Sequence, residues 1–534
     1  MARLSAGSGP ARGLPGGSSL VKLFLGIFLA FSLLFPLGSM LLNIAGSDAA
    51  RVFRMSQFRA ALLHSINVAG TSSLISIVFA WFFAQATVRS KMRFRSVFTV
   101  LGTAPMLIPS ISHGMGLVLL LGTNGIITRF FGLHQSIYGF GGIVAGSVLY
   151  AFPVAFLMLS DILLYEDGSP YEAATVLGIP KANQFFSITF PYLRRPLISV
   201  IFAIFTLIFT DYGVPLMIGG RYITLPVLMY QEVISLLHFG EGSVIGSFLL
   251  IPALIAFLFD LFTKERGNQN FVVQEKAVDK KPLRDWAAFF YCSVVCVLIA
   301  LPLLMFAVLS FVNKYPEDLS FSLVNITKTL KMGAGKYLVN SLRISAAVAF
   351  VGTILSWIIA YFTARTPGKS SRFLHLVSIT SLAVPGLVLG LSYAIFFKGS
   401  FIYGTLAMLV LANIMHFMAS PYLMAYNSLG KLNKNLEDVG LTLGVRRFFI
   451  VKDVLAPQTI ITIVEMASYF FVNAMMTISA VSFLSSTRNM PVSLLITRFE
   501  SQLFLEGAAF ISILILGCNL CIKLLVYLFR KHQN

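Results

Sequence analysis

The stretch from Tyr171 to Pro196, YEAATVLGIPKANQFFSITFPYLRRP, holds one acid, several basic residues, a Gly-Ile-Pro break and two further prolines. Apolar runs long enough to cross a bilayer lie on both sides of it. A second stretch, Leu436 to Gln458, LEDVGLTLGVRRFFIVKDVLAPQ, repeats the outline between two more such runs. A polar, broken loop set twice into an apolar chain asks for a fold in which the loop leaves the membrane to meet something else.

The surrounding composition supports this. Of 534 residues, 57% are hydrophobic and 11% charged, against about 45–50% and 25% in soluble domains. The chain is a polytopic membrane protein. Its 40 Lys+Arg against 21 Asp+Glu do not indicate nucleic-acid binding, because no soluble domain with a basic face remains once the apolar runs are removed. Cys292, Cys296, Cys518 and Cys521 all fall inside apolar runs, so they read as packing rather than redox or metal chemistry. No catalytic or metal-ligating set is expected, and no cofactor.

A span needs about 20 apolar residues, and that rule gives twelve: 22–44, 61–88, 97–121, 138–164, 196–218, 243–263, 286–311, 338–364, 373–397, 402–427, 460–484 and 507–529. Residues 1–20, rich in Gly, Ser, Pro and Arg, form a loose arm. The first span is too long for a signal peptide and lacks a clear cleavage site. With the N-terminus inside, the inner segments carry 27 basic residues and the outer ones 12, with Arg343 within a span. The positive-inside rule then places both termini and both polar loops in the cytoplasm.

The chain also repeats itself. At an offset of 276, Ser65 meets Ser341, Trp81 meets Trp357, Ala84 meets Ala360, Arg89 meets Arg365, Pro109 meets Pro385 and Gly114 meets Gly390. Past a shorter second-copy loop the offset becomes 266, and Leu177-Gly178 meets Leu443-Gly444 while Pro191 meets Pro457. Each half has six spans with the polar loop between its fourth and fifth. An even number of spans per unit makes the repeat parallel. The organisation expected is a first repeat over 21–263, a charged linker over 264–285 and a second repeat over 286–534.

Within the first loop, Glu172 stands near the start of a short helix, where an acid complements the dipole. Ala173 and Ala174 keep one side thin, Gly178 permits a turn, and Pro180 follows. EAATVLG, with Pro191 thirteen residues after its Gly, resembles the EAA loop of permease subunits of binding-protein-dependent ABC importers. In the second copy Glu437, Asp438 and Gly444 fall in EDVGLTLG, with Val439 and Gly440 where the alanines would be. A fused double permease with DYGVPLMIGG and TISAVSFLSS is similar to importers for ferric iron, thiamine and organophosphonates such as aminoethylphosphonate.

The resemblance implies the all-α, type I importer permease fold, and partners: a cytoplasmic ABC ATPase, in two copies, and an extracytoplasmic solute-binding protein. Each EAA loop would form a coupling helix seated in an ATPase subunit. ATP would be bound there, since this chain has no P-loop: its GKS at 368–370 has Thr363 where the motif needs glycine.

Ionisable residues deep in spans are expensive and mark pathways. Asp211, followed by Tyr-Gly-Val-Pro, is expected to unwind the fifth span at a cavity. Its repeat counterpart is Thr477, so the two halves present different surfaces to the solute. Glu465 and Arg343 are further pathway candidates. His113 and His416 read as satisfied polar residues, and His134 sits in an outer loop. The rival class is an ion-coupled secondary transporter, which also uses twelve spans in two halves but needs neither paired loops nor an ATPase. A structural scaffold is disfavoured by the buried charges.

Overall fold

The computed structural model describes residues 16–132, 137–263, 278–433 and 435–533. The arm through residue 15, His134 and linker residues 264–277 lie outside the described residues. Nine described helices are long and apolar enough to cross a membrane, and three bent pairs bring the number to twelve, each matching one expected span.

In the first half these are α1 (Ser19–Ala45), α2 (Ser56–Arg89), α3 (Arg95–Thr103) continued by α4 (Ser110–Leu121), α5 (Phe140–Leu164), the loop helix α6 (Ser169–Val176), α7 (Phe190–Phe209), the short α8 (Gly213–Ile218) and α9 (Leu225–Ile234), and α10 (Phe239–Thr263). The second half opens with α11 (Pro282–Ser310) and a small antiparallel hairpin, β1 (Val312–Lys314) and β2 (Asp318–Phe321). It continues with α12 (Gly335–Arg365), α13 (Lys369–Thr380), α14 (Gly386–Phe396), α15 (Leu406–Phe417), α16 (Ala419–Lys431), the loop helix α17 (Asn435–Thr442), α18 (Ile460–Met476), α19 (Leu495–Ser501) and α20 (Leu505–Gln533).

The third spans break where the repeat places proline. Pro109 and Pro385 both hold ψ near 145–149° ahead of α4 and α14, because a proline ring supplies no N–H to continue the preceding helix. The bend at Pro385 reaches 111°, so 373–397 is an elbow rather than a straight span.

The halves are interlaced. Helix α1 packs on α10 of its own half and also on α13 and α14 of the other. Tyr393 donates to the Ser32 carbonyl at 2.5 Å and Lys22 to that of Thr366 at 2.9 Å. Reciprocally, α11 packs on α20 and on α3 and α4, and Tyr291 donates to the Phe79 carbonyl at 2.8 Å. Apolar faces on α1 and α11 are thus covered by the opposite repeat.

The segments after the fifth spans differ from a simple outer loop. Of 219–242, Leu225 to Met229 and Val233 are buried, and of 485–506, Val492 to Ile496 and Phe499. These apolar residues fold back among the helices. These segments therefore expose residues mainly towards their ends, including Gly220, Leu237, Thr487 and Leu503. Ser65 and Ser341, paired by the repeat, hold these segments: each hydroxyl accepts a backbone N–H at 2.7 Å, from Leu225 and from Val492.

Candidate functional site

Two features carry the chemistry: the paired polar loops and a cavity shared between the halves.

Each loop ends its helix in the same way. In the first, Gly178 N–H donates to the Thr175 carbonyl at 3.1 Å and Ile179 N–H to that of Ala174 at 2.9 Å. In the second, Gly444 N–H donates to Leu441 at 3.1 Å and Val445 N–H to Gly440 at 2.9 Å. This double bond pattern is a Schellman motif, which requires a left-handed residue. Gly178 has φ +68° and Gly444 φ +74°, and nothing in the chain lies within 4 Å of a Cβ built on either. The turn, not crowding within this chain, selects glycine. Beyond it the surface is apolar: Val176 is 87% exposed and Leu177 and Leu443 each 75%. Leu177 and Leu443 are repeat mates, and both lie at polar loops outside the spans, where exposed apolar surface signals a protein partner.

The alanines divide their work. Ala173 is exposed with Glu172, whereas Ala174 is buried against the permease itself. In the second loop Gly440 replaces it, and a Cβ there would come within 2.5 Å of the Ile450 side chain. Ile450 thus fills the space that the missing methyl leaves, and the departure from the two-alanine pattern is compensated inside the loop. Asp438 sits in the first turn of α17, as Glu172 does in α6.

Glu437 faces inward. Its carboxylate takes the Arg365 guanidinium, with Nε donating to Oε1 at 2.6 Å. Arg89, the repeat mate of Arg365, donates to Glu166 at 2.6 Å, and Glu166 also accepts from the Tyr171 hydroxyl on α6. Burial and the Glu166 carboxylate together push the Tyr171 phenol up to about 12, so it stays a hydrogen-bond donor at neutral pH.

Between the halves lies a cavity of about 1070 Å³. It starts at the loop end of α7, beside Arg194 and Arg195, and rises to Asp211, Tyr150, Tyr469, His416 and Ser479. As the sequence implies, the helix unwinds at Asp211, between α7 and α8. The carboxylate accepts the N–H of Gly213 at 3.3 Å and of Val214 at 3.0 Å, which anchors α8 while leaving Asp211 partly exposed to the cavity. Tyr150 and His416 are repeat mates at the offset of 266, so one position offers a phenol from one half and an imidazole from the other. The His416 Nδ1 is buried with no hydrogen-bond partner among the described residues.

Beyond Asp211 the halves meet. The Tyr212 hydroxyl and Ser482 hydroxyl are 2.6 Å apart, Tyr212 stacks on Tyr230 at 5.3 Å, and Tyr230 tilts against Phe483 at 6.1 Å. These contacts join the two halves on the side of Asp211 away from the paired loops. Gly114 and Gly390 permit the tight fit: a Cβ would come within 2.9 Å of Met217 and of the Ala480 carbonyl, respectively.

The other two charged candidates lie elsewhere. Glu465 pairs with Arg530 on α20 at 3.0 Å, and Arg343 is on an exposed face of α12. Neither lines the cavity. His113 is buried on α4, with Nδ1 3.2 Å from the Ser110 carbonyl. Among the described residues no three His, Cys, Asp or Glu side chains gather into a metal-holding group. Sequence reasoning passed over Tyr150, Tyr469 and Glu166, the acid partner of Arg89, and named Glu437 as a coupling residue without pairing it to Arg365. The repeat offsets carried a signal for Tyr150 and for both arginines, while Tyr469 had none.

Residues 72–264 and 352–533 each match the family described as binding-protein-dependent transport system inner membrane component. The chain is 26% identical over 497 residues to the ferric transport system permease protein FbpB of Actinobacillus pleuropneumoniae, covering 89% of this chain and 72% of that one. It is 23% identical to the thiamine transport system permease protein ThiP of Escherichia coli, over 66% of each chain. The molybdenum transport system permease protein ModB of Azotobacter vinelandii matches at 25% identity, with 39% of this chain spanning 94% of that shorter protein.

Proposed function

Because the chain belongs to the binding-protein-dependent transport system inner membrane components, we propose that ferric iron is its cargo and that the iron passes beside Asp211. The chain is a fused double permease, the multi-pass inner-membrane subunit of an ABC importer, and not an enzyme. It works with a separate ATPase and a solute-binding protein. Ferric permeases match most of its length.

The observation that carries the cargo assignment is the oxygen-rich lining of the cavity around Asp211. A carboxylate, Asp211, stands there with the phenols of Tyr150 and Tyr469 and the hydroxyl of Ser479. A hard trivalent cation prefers oxygen donors of this kind. A path must also release what it binds, so a sparse set suits passage better than a cage. Arg194 and Arg195 at the loop end would instead favour an anion such as an organophosphonate.

The shared Schellman turn and the paired exposed leucines support two ATPase copies, one under each loop. The basic inner segments favour cytoplasmic termini. Uptake of radiolabelled ferric iron by membrane vesicles supplied with the binding protein tests the cargo. Asp211→Asn is expected to lower uptake while the ATPase still co-purifies. Undiminished iron uptake by this variant removes Asp211 from the path, and competition by phosphonate but not by iron replaces the cargo.

A further inference from the structure

The last residue of α2 is Arg89 and the last of α12 is Arg365, repeat mates that end helices of 34 and 31 residues. Each is spent on its coupling loop. Arg365 is 3% exposed at its side chain; it binds Glu437 and donates to the carbonyls of Leu432 at 2.8 Å and Asn433 at 2.7 Å. Arg89 binds Glu166, itself 4% exposed, and the Leu163 carbonyl at 2.6 Å.

The two acids are not repeat mates. At the offset of 266 Glu437 stands where the first half has Tyr171. In the first half Tyr171 relays from its own helix to Glu166, and its hydroxyl also meets Thr189 at 2.6 Å, beyond the loop helix. The same tie between a long helix and a loop helix is therefore built from two different acid positions. A generic surface ion pair has no reason to be rebuilt in this way.

We infer that Arg89 and Arg365 are positioning residues that lock each coupling helix to a long helix, so that ATPase motion moves α2 and α12 with the loops. Chain continuity and local packing, such as that of Gly440 on Ile450, join each loop helix to α7 or α18. A second attachment fixes its direction. Helices α2 and α12 pack along α7 and α18, respectively, and these line the cavity. The tie thus adds a second mechanical route to the cavity wall.

The inference rests on the loops being couplers, and the test separates the two. Arg365→Gln and Glu437→Gln are compared with the exchange Arg365→Glu plus Glu437→Arg in the full permease–ATPase complex. Retained co-purification of the ATPase reports that docking survives. The single variants are expected to keep it, yet to lower iron taken up per ATP hydrolysed by about tenfold, the size of a typical coupling free energy. The exchange is expected to restore most of the ratio.

A second measurement needs neither ATPase nor cargo. Spin labels at Leu443→Cys and Phe350→Cys, both exposed positions, with the four native cysteines replaced, should give one narrow distance that broadens in Arg365→Gln and narrows again in the exchange. Unchanged ratio and width in the single variants, an exchange no better than either, or loss of ATPase docking in step with loss of uptake each overturn the inference. Loss of docking in Gly444→Asp but not in Arg365→Gln would leave the coupling reading intact.

Discussion

Gly178 and Gly444 hold a backbone conformation that costs a side chain about 1–2 kcal/mol, and their φ of +68° and +74° is demanded by two hydrogen bonds each. Added bulk meets nothing within this chain, so a clash must come from the docked partner. Gly178→Asp is expected to abolish uptake and weaken ATPase co-purification while the permease still inserts. Gly444→Asp should do the same with similar severity, because Ile450 restores the packing that Gly440 gives up. Pull-down of the ATPase together with uptake checks both. Glu172→Ala should act more mildly, by about 0.3–1 kcal/mol of lost dipole complement. The two acids named together in the second loop separate at this scale: Asp438 takes the place of Glu172, and Glu437 turns inward to Arg365.

Elements answer to their buried backbone. The segments that begin near Leu225 and Val492 fold back into an apolar interior, where an unpaired N–H costs about 1–3 kcal/mol. Ser65 and Ser341 satisfy one N–H each at 2.7 Å. Ser65→Ala and Ser341→Ala are expected to lower the unfolding temperature of the detergent-solubilised protein and to loosen α9 or the segment at Val492. Replacement by Thr, which keeps the hydroxyl, should hurt less. A melting curve unchanged in both alanine variants would mean that water or a shifted backbone satisfies these groups. The repeat paired Ser65 with Ser341 but gave no hint of the backbone groups they hold, because that of Ser65 lies 160 residues away in the chain.

At the scale of the molecule, α1 and α11 are each shared by both repeats, so neither half covers its own apolar surface. Splitting the chain within 264–277 should leave each half unstable alone and recover uptake when the two are co-expressed. Accumulation of a folded first half by itself would contradict the interlaced packing. Labelling of single cysteines by impermeant reagents from outside should reach Gly220, Leu237 and Leu503 but not Met229, which is fully buried. Val176 and Leu443, though highly exposed, should react only from the side of the ATPase.

Span number, the repeat, the paired loops and the break at Asp211 were legible in the chain itself, because each depends on local properties: apolar length, proline and glycine geometry, and similarity at a fixed offset. The interlacing of halves, the infolded outer segments and the closure of Tyr212 on Ser482 depend on which distant surfaces fit together, and one-dimensional patterns do not encode that. For the same reason three similar-looking charges parted company. Asp211 faces the cavity because its unwound backbone meets the other half there. Glu465 finds Arg530 on a neighbouring helix, and Arg343 stays on an outer face. Their cost in an apolar span is alike, and only packing determined which of them reached the path between the halves.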